Sequence, residues 1–148
     1  VDYHYTECGL DNVIIQGMEN TEDNAGNETI TIPAIGMLHQ VIAKGVVTQP
    51  SKMGGRELRF LRTEMGLTQD ELARVLKVTL LTISRWEREE SPIKDTAEML
   101  IRLLAVERLE LDVEMSVDIV ASKVTASSKT EPILIDGSNP KNYQVLAA

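Results

Sequence analysis

His4 and Cys8 stand close enough in the chain to share a metal ion on a turn or helix. A structural zinc site needs four ligands, and only His39 and distant carboxylates remain to complete one. No metal site is therefore expected, and Cys8 reads as a packed thiol. Nucleophilic attack by Cys8 would need a base and an oxyanion site, and no other motif supplies either. The carboxylates from Glu107 to Asp118 are spread like a solvated helix face rather than focused as an acid–base pair. There is no glycine-rich phosphate loop. The sequence predicts no catalytic site, no metal and no cofactor, so an enzyme is not expected.

Composition sets wider bounds. The chain has 148 residues, 43% hydrophobic and 26% charged, the balance of a globular protein. Only 3% is aromatic, so the core must be built from Leu, Ile, Val, Ala and Met. No apolar run approaches the roughly 18 residues of a membrane span, and no signal-peptide pattern opens the chain. The single cysteine rules out an internal disulfide framework and fits a reducing compartment, so a cytoplasmic location is expected. Because the sequence opens on Val1, residues before it, an initiator methionine included, are expected either to have been removed or to lie outside the sequence given.

The net charge of −8 argues at first against a polyanionic partner. Its distribution answers the objection. Between Lys52 and Arg88 eight cations stand against five anions, so a basic island lies between acidic flanks.

Three segments are expected. Residues 1–50 read as a β/α segment for dimer or partner binding, 51–112 as a helical domain, and 113–148 as a helix with a β tail. In the first, Val13-Ile14-Ile15 and Ile30-Thr31-Ile32 are β-branched runs separated by a polar stretch, which predicts a hairpin. Pro33 suits the first turn of a helix carrying Ile35, Leu38, Ile42 and Val46. In the last, Pro132–Ile135 and Tyr143–Leu146 flank an Asp136-Gly137 turn.

The middle segment is well punctuated. Leu58, Leu61, Arg62 and Met65 share one face of a helix that Gly66 ends as a left-handed cap. Thr68 and Glu71 have capping-box spacing and open a second helix with Leu72, Ala73 and Leu76 inward. Thr79 caps a short third helix carrying Ile83 and Trp86, with Trp86 as core. After Ser91-Pro92, Asp95 is expected to cap a fourth helix, with Glu98 three residues on, burying Ala97, Leu100, Ile101 and Leu104. A fifth helix is expected from about Val113 to Val124.

The run from Leu67 to Glu87, LTQDELARVLKVTLLTISRWE, resembles the XRE family of lambda-repressor-like helix-turn-helix proteins, whose shared pattern is roughly L-T/S-Q-x-x-L-A-x-x-L-G-V-S-x-x-T-I-S-x-W/I-E. The resemblance implies a mainly α fold. A five-helix DNA-binding domain would be flanked by small N-terminal and C-terminal β elements. It also implies a recognition helix, Thr79 to Glu87, lying in the major groove, where each base pair shows a distinct donor and acceptor pattern. Carried over residue by residue, Arg85, Leu80, Leu81 and Thr82 become base-reading residues. Gln69, Thr79, Ser84, Lys77 and Arg88 become phosphate-binding ones. Arg62 and Glu87 match a scaffold ion pair tying the first helix of the domain to the third.

Two departures matter. Leu80 and Leu81 stand where the family often has Gln, Asn or Ser, so base contacts there would be apolar and Arg85 would carry the polar readout. Lys77 occupies the turn position where the family usually has Gly.

The flanking motifs, from Tyr3 to Val13, Ile32-Pro33, Leu38-His39 and Glu57 to Arg62, resemble MqsA-type antitoxins of type II toxin–antitoxin modules. That similarity implies a toxin partner for the N-terminal segment, alongside autorepression as a homodimer on a palindromic operator of double-stranded DNA. The zinc-binding cysteines of that group are missing here. The apolar end Val145-Leu146-Ala147-Ala148 is similar to the degradation tag bacteria append to stalled proteins, which would imply rapid turnover.

Overall fold

The computed structural model describes residues 2–18, 20–22, 28–30, 34–124, 131–139 and 142–146. The chain divides into two compact units, residues 1–42 with 132–148, and residues 43–131. The architecture is mainly helical, with small sheets drawn from the two ends of the chain.

The first unit is built on a four-stranded sheet. Its strands are β1 (Tyr3–His4), β2 (Val13–Gln16), β5 (Ile133–Asp136) and β6 (Gln144–Val145), in the order β1-β2-β5-β6. β2 and β5 run parallel, with Val13 opposite Ile133 and Ile15 opposite Ile135. Parallel pairing requires a crossover, and here everything between Gly17 and Pro132 lies between the paired strands. Val13, Ile15, Ile133 and Ile135 alternate onto the buried face and pack with Tyr5, Leu10, Met18 and Tyr143 among the buried residues of this unit. Gly137 follows β5 where a Cβ would lie 2.4 Å from Ile15 Cγ2, so no larger residue fits. The Tyr5 hydroxyl lies 2.7 Å from His39 Nε2.

The expected pairing of Val13–Ile15 with the run ending at Ile32 is not formed. β2 pairs with β1 and β5 instead, while β3 (Asn20–Glu22) pairs antiparallel with β4 (Glu28–Ile30). Thr31, Ile32, Pro33, Ala147 and Ala148 lie outside the described residues, and with them the proposed first-turn proline and the tag-like end. The tail hairpin is present: β5 and β6 are antiparallel, Ile135 opposite Val145 and Asp136 opposite Gln144.

α1 (Ile35–Thr48) begins in the first unit and ends in the second, where α2 (Gly55–Glu64), α3 (Gln69–Leu76), α4 (Leu80–Glu87), α5 (Asp95–Arg108) and α6 (Val117–Lys123) follow. Leu58, Leu61, Leu72, Ile83 and Ile101 are fully buried and form its centre.

A buried ion pair locks the linker between α1 and α2. The Arg102 guanidinium donates to Glu98 Oε2 at 2.8 Å and to the carbonyls of Val47, Gln49 and Ser51, while Met53 N–H donates to Glu98 Oε1 at 2.9 Å. Neither charged side chain is exposed. Because every lone pair and N–H in use is matched, the desolvation cost of the two charges is offset locally.

That pair corrects the expected α5. Lys94 is its N-cap and makes no side-chain cap, Asp95 is the first helical residue, and Asp95 is held by Lys52 Nζ at 2.9 Å. Glu98 points inward, so it is not a capping-box partner. Leu100 is exposed and Leu104 half-buried, because Ala97, Ile101, Arg102 and Ala105 occupy the inner face. α6 starts later than expected, where Ser116 Oγ accepts from Ile119 N–H at 3.2 Å.

Candidate nucleic-acid interface

Three local devices set α3 and α4 at their angle. The Thr68 hydroxyl accepts from Glu71 N–H at 3.1 Å and the Glu71 carboxylate accepts from Thr68 N–H at 3.2 Å, the reciprocal box expected at the start of α3. Gly66 has φ +71, the left-handed cap expected after α2. Thr79 Oγ1 accepts from Thr82 N–H at 3.2 Å and opens α4.

Between the two helices Lys77 is left-handed, with φ 59 and ψ 41, and Val78 N–H closes the turn on Ala73 O at 3.0 Å. This is the conformation a glycine would adopt without strain, held here by a lysine. Ala73 is buried where the turn folds back, and Leu72, Leu76, Ile83 and Trp86 are buried with it. Val78, just past the turn, is only half-buried.

α2 is docked onto the end of α4. A Cβ at Gly55 would lie 2.5 Å from Trp86 O and 2.6 Å from Glu87 O, so the first turn of α2 sits directly on the last carbonyls of α4. The positive end of one helix thereby meets the negative end of the other. Gly55, which permits this approach, carries no signal in the residue pattern that points to it.

Arg62 and Glu87 make the expected scaffold pair. Arg62 Nε donates to Glu87 Oε2 at 2.6 Å and Nη2 to Oε1 at 3.0 Å, while Nη1 caps Leu67 O at 2.9 Å. Gln69 joins them, its amide donating to Glu87 Oε1 at 3.1 Å. The first residue of α3 is thus tethered to the last residue of α4.

The outer side of α4 is open. Leu80 and Leu81 are 49% and 51% exposed. Arg85 is exposed, and its guanidinium has no ion-pair or hydrogen-bond partner among the described residues. Leu81, Ser84, Arg85 and Arg88 recur at i, i+3, i+4 and i+7 and form one stripe along the helix. Arg88 is engaged at the helix end, with Nε on Ser84 O at 3.3 Å and Nη2 on Glu90 at 3.1 Å. The Thr82 hydroxyl is 2.8 Å from Thr79 Oγ1, within the cap. Lys77 projects from the exposed turn.

A short helix with an open face, presented by a capped turn and braced from behind, matches a known design. Residues 58–111 match the family model described as helix-turn-helix. This segment is a helix-turn-helix domain. The match supports a DNA-binding transcriptional regulator of the XRE kind, with α3 and α4 as the two motif helices. No curated protein and no solved structure matches the chain. Among the described residues no helix is long and apolar enough to cross a membrane, and no group of three or more His, Cys, Asp or Glu side chains could hold a metal ion.

Proposed function

We propose that the chain binds a palindromic operator in double-stranded DNA as a homodimer and represses transcription, its own operon included. The observation that carries this reading is the unpartnered Arg85 on the open face of α4, inside the basic island from Lys52 to Arg88. A free guanidinium fork on a groove-sized helix can grip guanine O6 and N7 together. Leu80 and Leu81, beside it, fit the methyl group of thymine. Thr82 lies at the head of the same helix, within reach of a base edge if its hydroxyl leaves Thr79.

Around this reading head, Thr79, Ser84, Lys77 and Arg88 would contact phosphates. Gln69 would do so from the start of α3, while its amide also keeps Glu87 in place. Two recognition helices related by a two-fold axis would enter successive major grooves about 34 Å apart. The test is titration of a fragment from the upstream region of the gene across a range of salt. Tight, sequence-dependent binding with a steep salt slope is expected; binding no better than to unrelated DNA at every salt concentration would refute the reading.

A second reading is favoured by the separate compact unit formed from residues 1–42 and 132–148. This unit would bind a cognate toxin, making DNA binding autoregulatory. Co-purification with a neighbouring toxin-like product tests it, and loss of capture when that unit is altered is expected.

A further inference from the structure

Most cations of the basic island are engaged within the protein. Lys52 holds Asp95 at 2.9 Å and donates to the Ile93 carbonyl at 2.7 Å. Arg62 holds Glu87 at 2.6 Å, Arg74 pairs with Asp70 at 2.8 Å, and Arg88 pairs with Glu90 at 3.1 Å. Arg56 is engaged as well. Arg59, Lys77 and Arg85 have no ion pair or hydrogen bond among the described residues. Lys77 and Arg85 belong to the helix-turn-helix motif. Arg59 lies on α2, outside the motif, and no part of the fold uses its charge.

Its place on α2 is informative. Gly55, Arg59 and Arg62 recur at i, i+4 and i+7 and so share one side of the helix. Gly55 lies against the Trp86 and Glu87 carbonyls, and Arg62 holds the Glu87 carboxylate. That side is therefore turned to the end of α4, and Arg59, which is exposed, carries its charge out beside it. The neighbours of Arg59 at three and four residues along the helix are Gly55, Arg56, Arg62 and Thr63, and none is acidic. Asp and Glu outnumber Lys and Arg in the chain by 23 to 15, yet this guanidinium meets no carboxylate among the described residues.

We propose that Arg59 binds a phosphate of the DNA backbone, so that α2 touches the duplex together with the two motif helices. The contact would fall on the backbone bordering the groove at the end of α4, and it would fix position without reading sequence. Leu80 and Leu81 increase its importance: apolar side chains attract no phosphate, so affinity rests on the cations that remain free. The proposal rests on the DNA-binding reading above and adds a contact outside the motif.

The experiment measures binding of the full chain to a fragment from the upstream region of its gene and to unrelated DNA of equal length, across a range of salt. Wild type, Arg59→Gln, Arg59→Lys and Arg74→Gln are compared. Arg59→Gln is expected to weaken binding to both DNAs on the order of tenfold at about 0.1 M salt, and to lower the slope of log affinity against log salt by about one. Arg59→Lys keeps the charge and is expected to keep the wild-type slope. Arg74→Gln removes the same charge from an arginine already paired with Asp70 and is expected to change the slope clearly less. Thermal unfolding of all three variants is expected to match the wild type.

A wild type without sequence-dependent binding would overturn the DNA reading itself. With wild-type binding intact, an Arg59→Gln protein of unchanged slope, or one no weaker than Arg74→Gln, would overturn only the Arg59 contact. A loss confined to the upstream fragment would overturn it too, because a phosphate contact acts on every sequence.

Discussion

Arg62 grips Glu87 across the helix-turn-helix domain with two guanidinium nitrogens, at 2.6 and 3.0 Å, and both side chains are largely withdrawn from water, 16% and 5% exposed. Removing one partner strands the other charge. Arg62→Ala is expected to cost about 3 kcal/mol in a urea unfolding titration. The paired change of Arg62 and Glu87 to methionine should cost clearly less than either single change, because no charge is left unmatched. Equal losses for the single and paired changes would show that the pair contributes through packing alone.

The contact of Gly55 with the end of α4 makes a sharper prediction about steric fit. Gly55→Ala drives a methyl group into the Trp86 and Glu87 carbonyls and is expected to destabilise the domain by about 1–3 kcal/mol. Gly54→Ala meets the carboxylates of Glu57, at 3.3 Å, and Glu89, at 3.6 Å, and flexible carboxylates can move. Comparing the two alanine variants by thermal unfolding checks the contrast, and an equal effect at both positions would contradict it.

Lys77 separates a folding role from a binding one. In the left-handed turn, Lys77→Gly relieves backbone strain and is expected to raise stability by about 0.5–1 kcal/mol. If the lysine also meets a phosphate, the same change lowers the slope of log affinity against log salt by about one. A more stable variant with an unchanged slope would leave Lys77 with the turn alone.

How much of this was legible in the sequence follows from the range of each interaction. The Thr68–Glu71 box, the Gly66 cap and the Thr79 cap act over three or four residues, and they form where the residue types place them. The Arg62–Glu87 pair was expected from family resemblance, although Gln69 as its third member was not. α5 misled for a physical reason: leucines on two sides give no sign of which side is inward. Glu98 and Arg102 have the i, i+4 spacing usually seen in exposed pairs, yet they are buried. The β2–β5 pairing joins residues separated by more than a hundred positions, and alternation in two short strands carries no record of the partner.

Glu57 predicts a pH dependence. Burial pushes its carboxyl above the ordinary value of 4.5, and the nearby Glu89 charge adds to the rise. The folded form therefore holds its proton more tightly than the unfolded chain. This group's contribution to stability is fully present below about pH 4.5 and declines as pH rises through the elevated folded value. Glu57→Gln keeps an acceptor for Gly54 N–H and is expected to flatten that decline and raise stability at pH 7. Chemical unfolding of both proteins between pH 4 and 8 checks it, and parallel curves would contradict the assignment.

The central claim is that the open face of α4 reads DNA through Arg85. Its most direct test is the affinity of wild type and Arg85→Ala for the operator, and for operator variants with single guanines replaced, at one salt concentration. Arg85→Ala is expected to lose about 1–3 kcal/mol on the operator and to become indifferent to one guanine position, with folding unchanged. An Arg85→Ala protein that keeps both its affinity and its base preference would contradict the account.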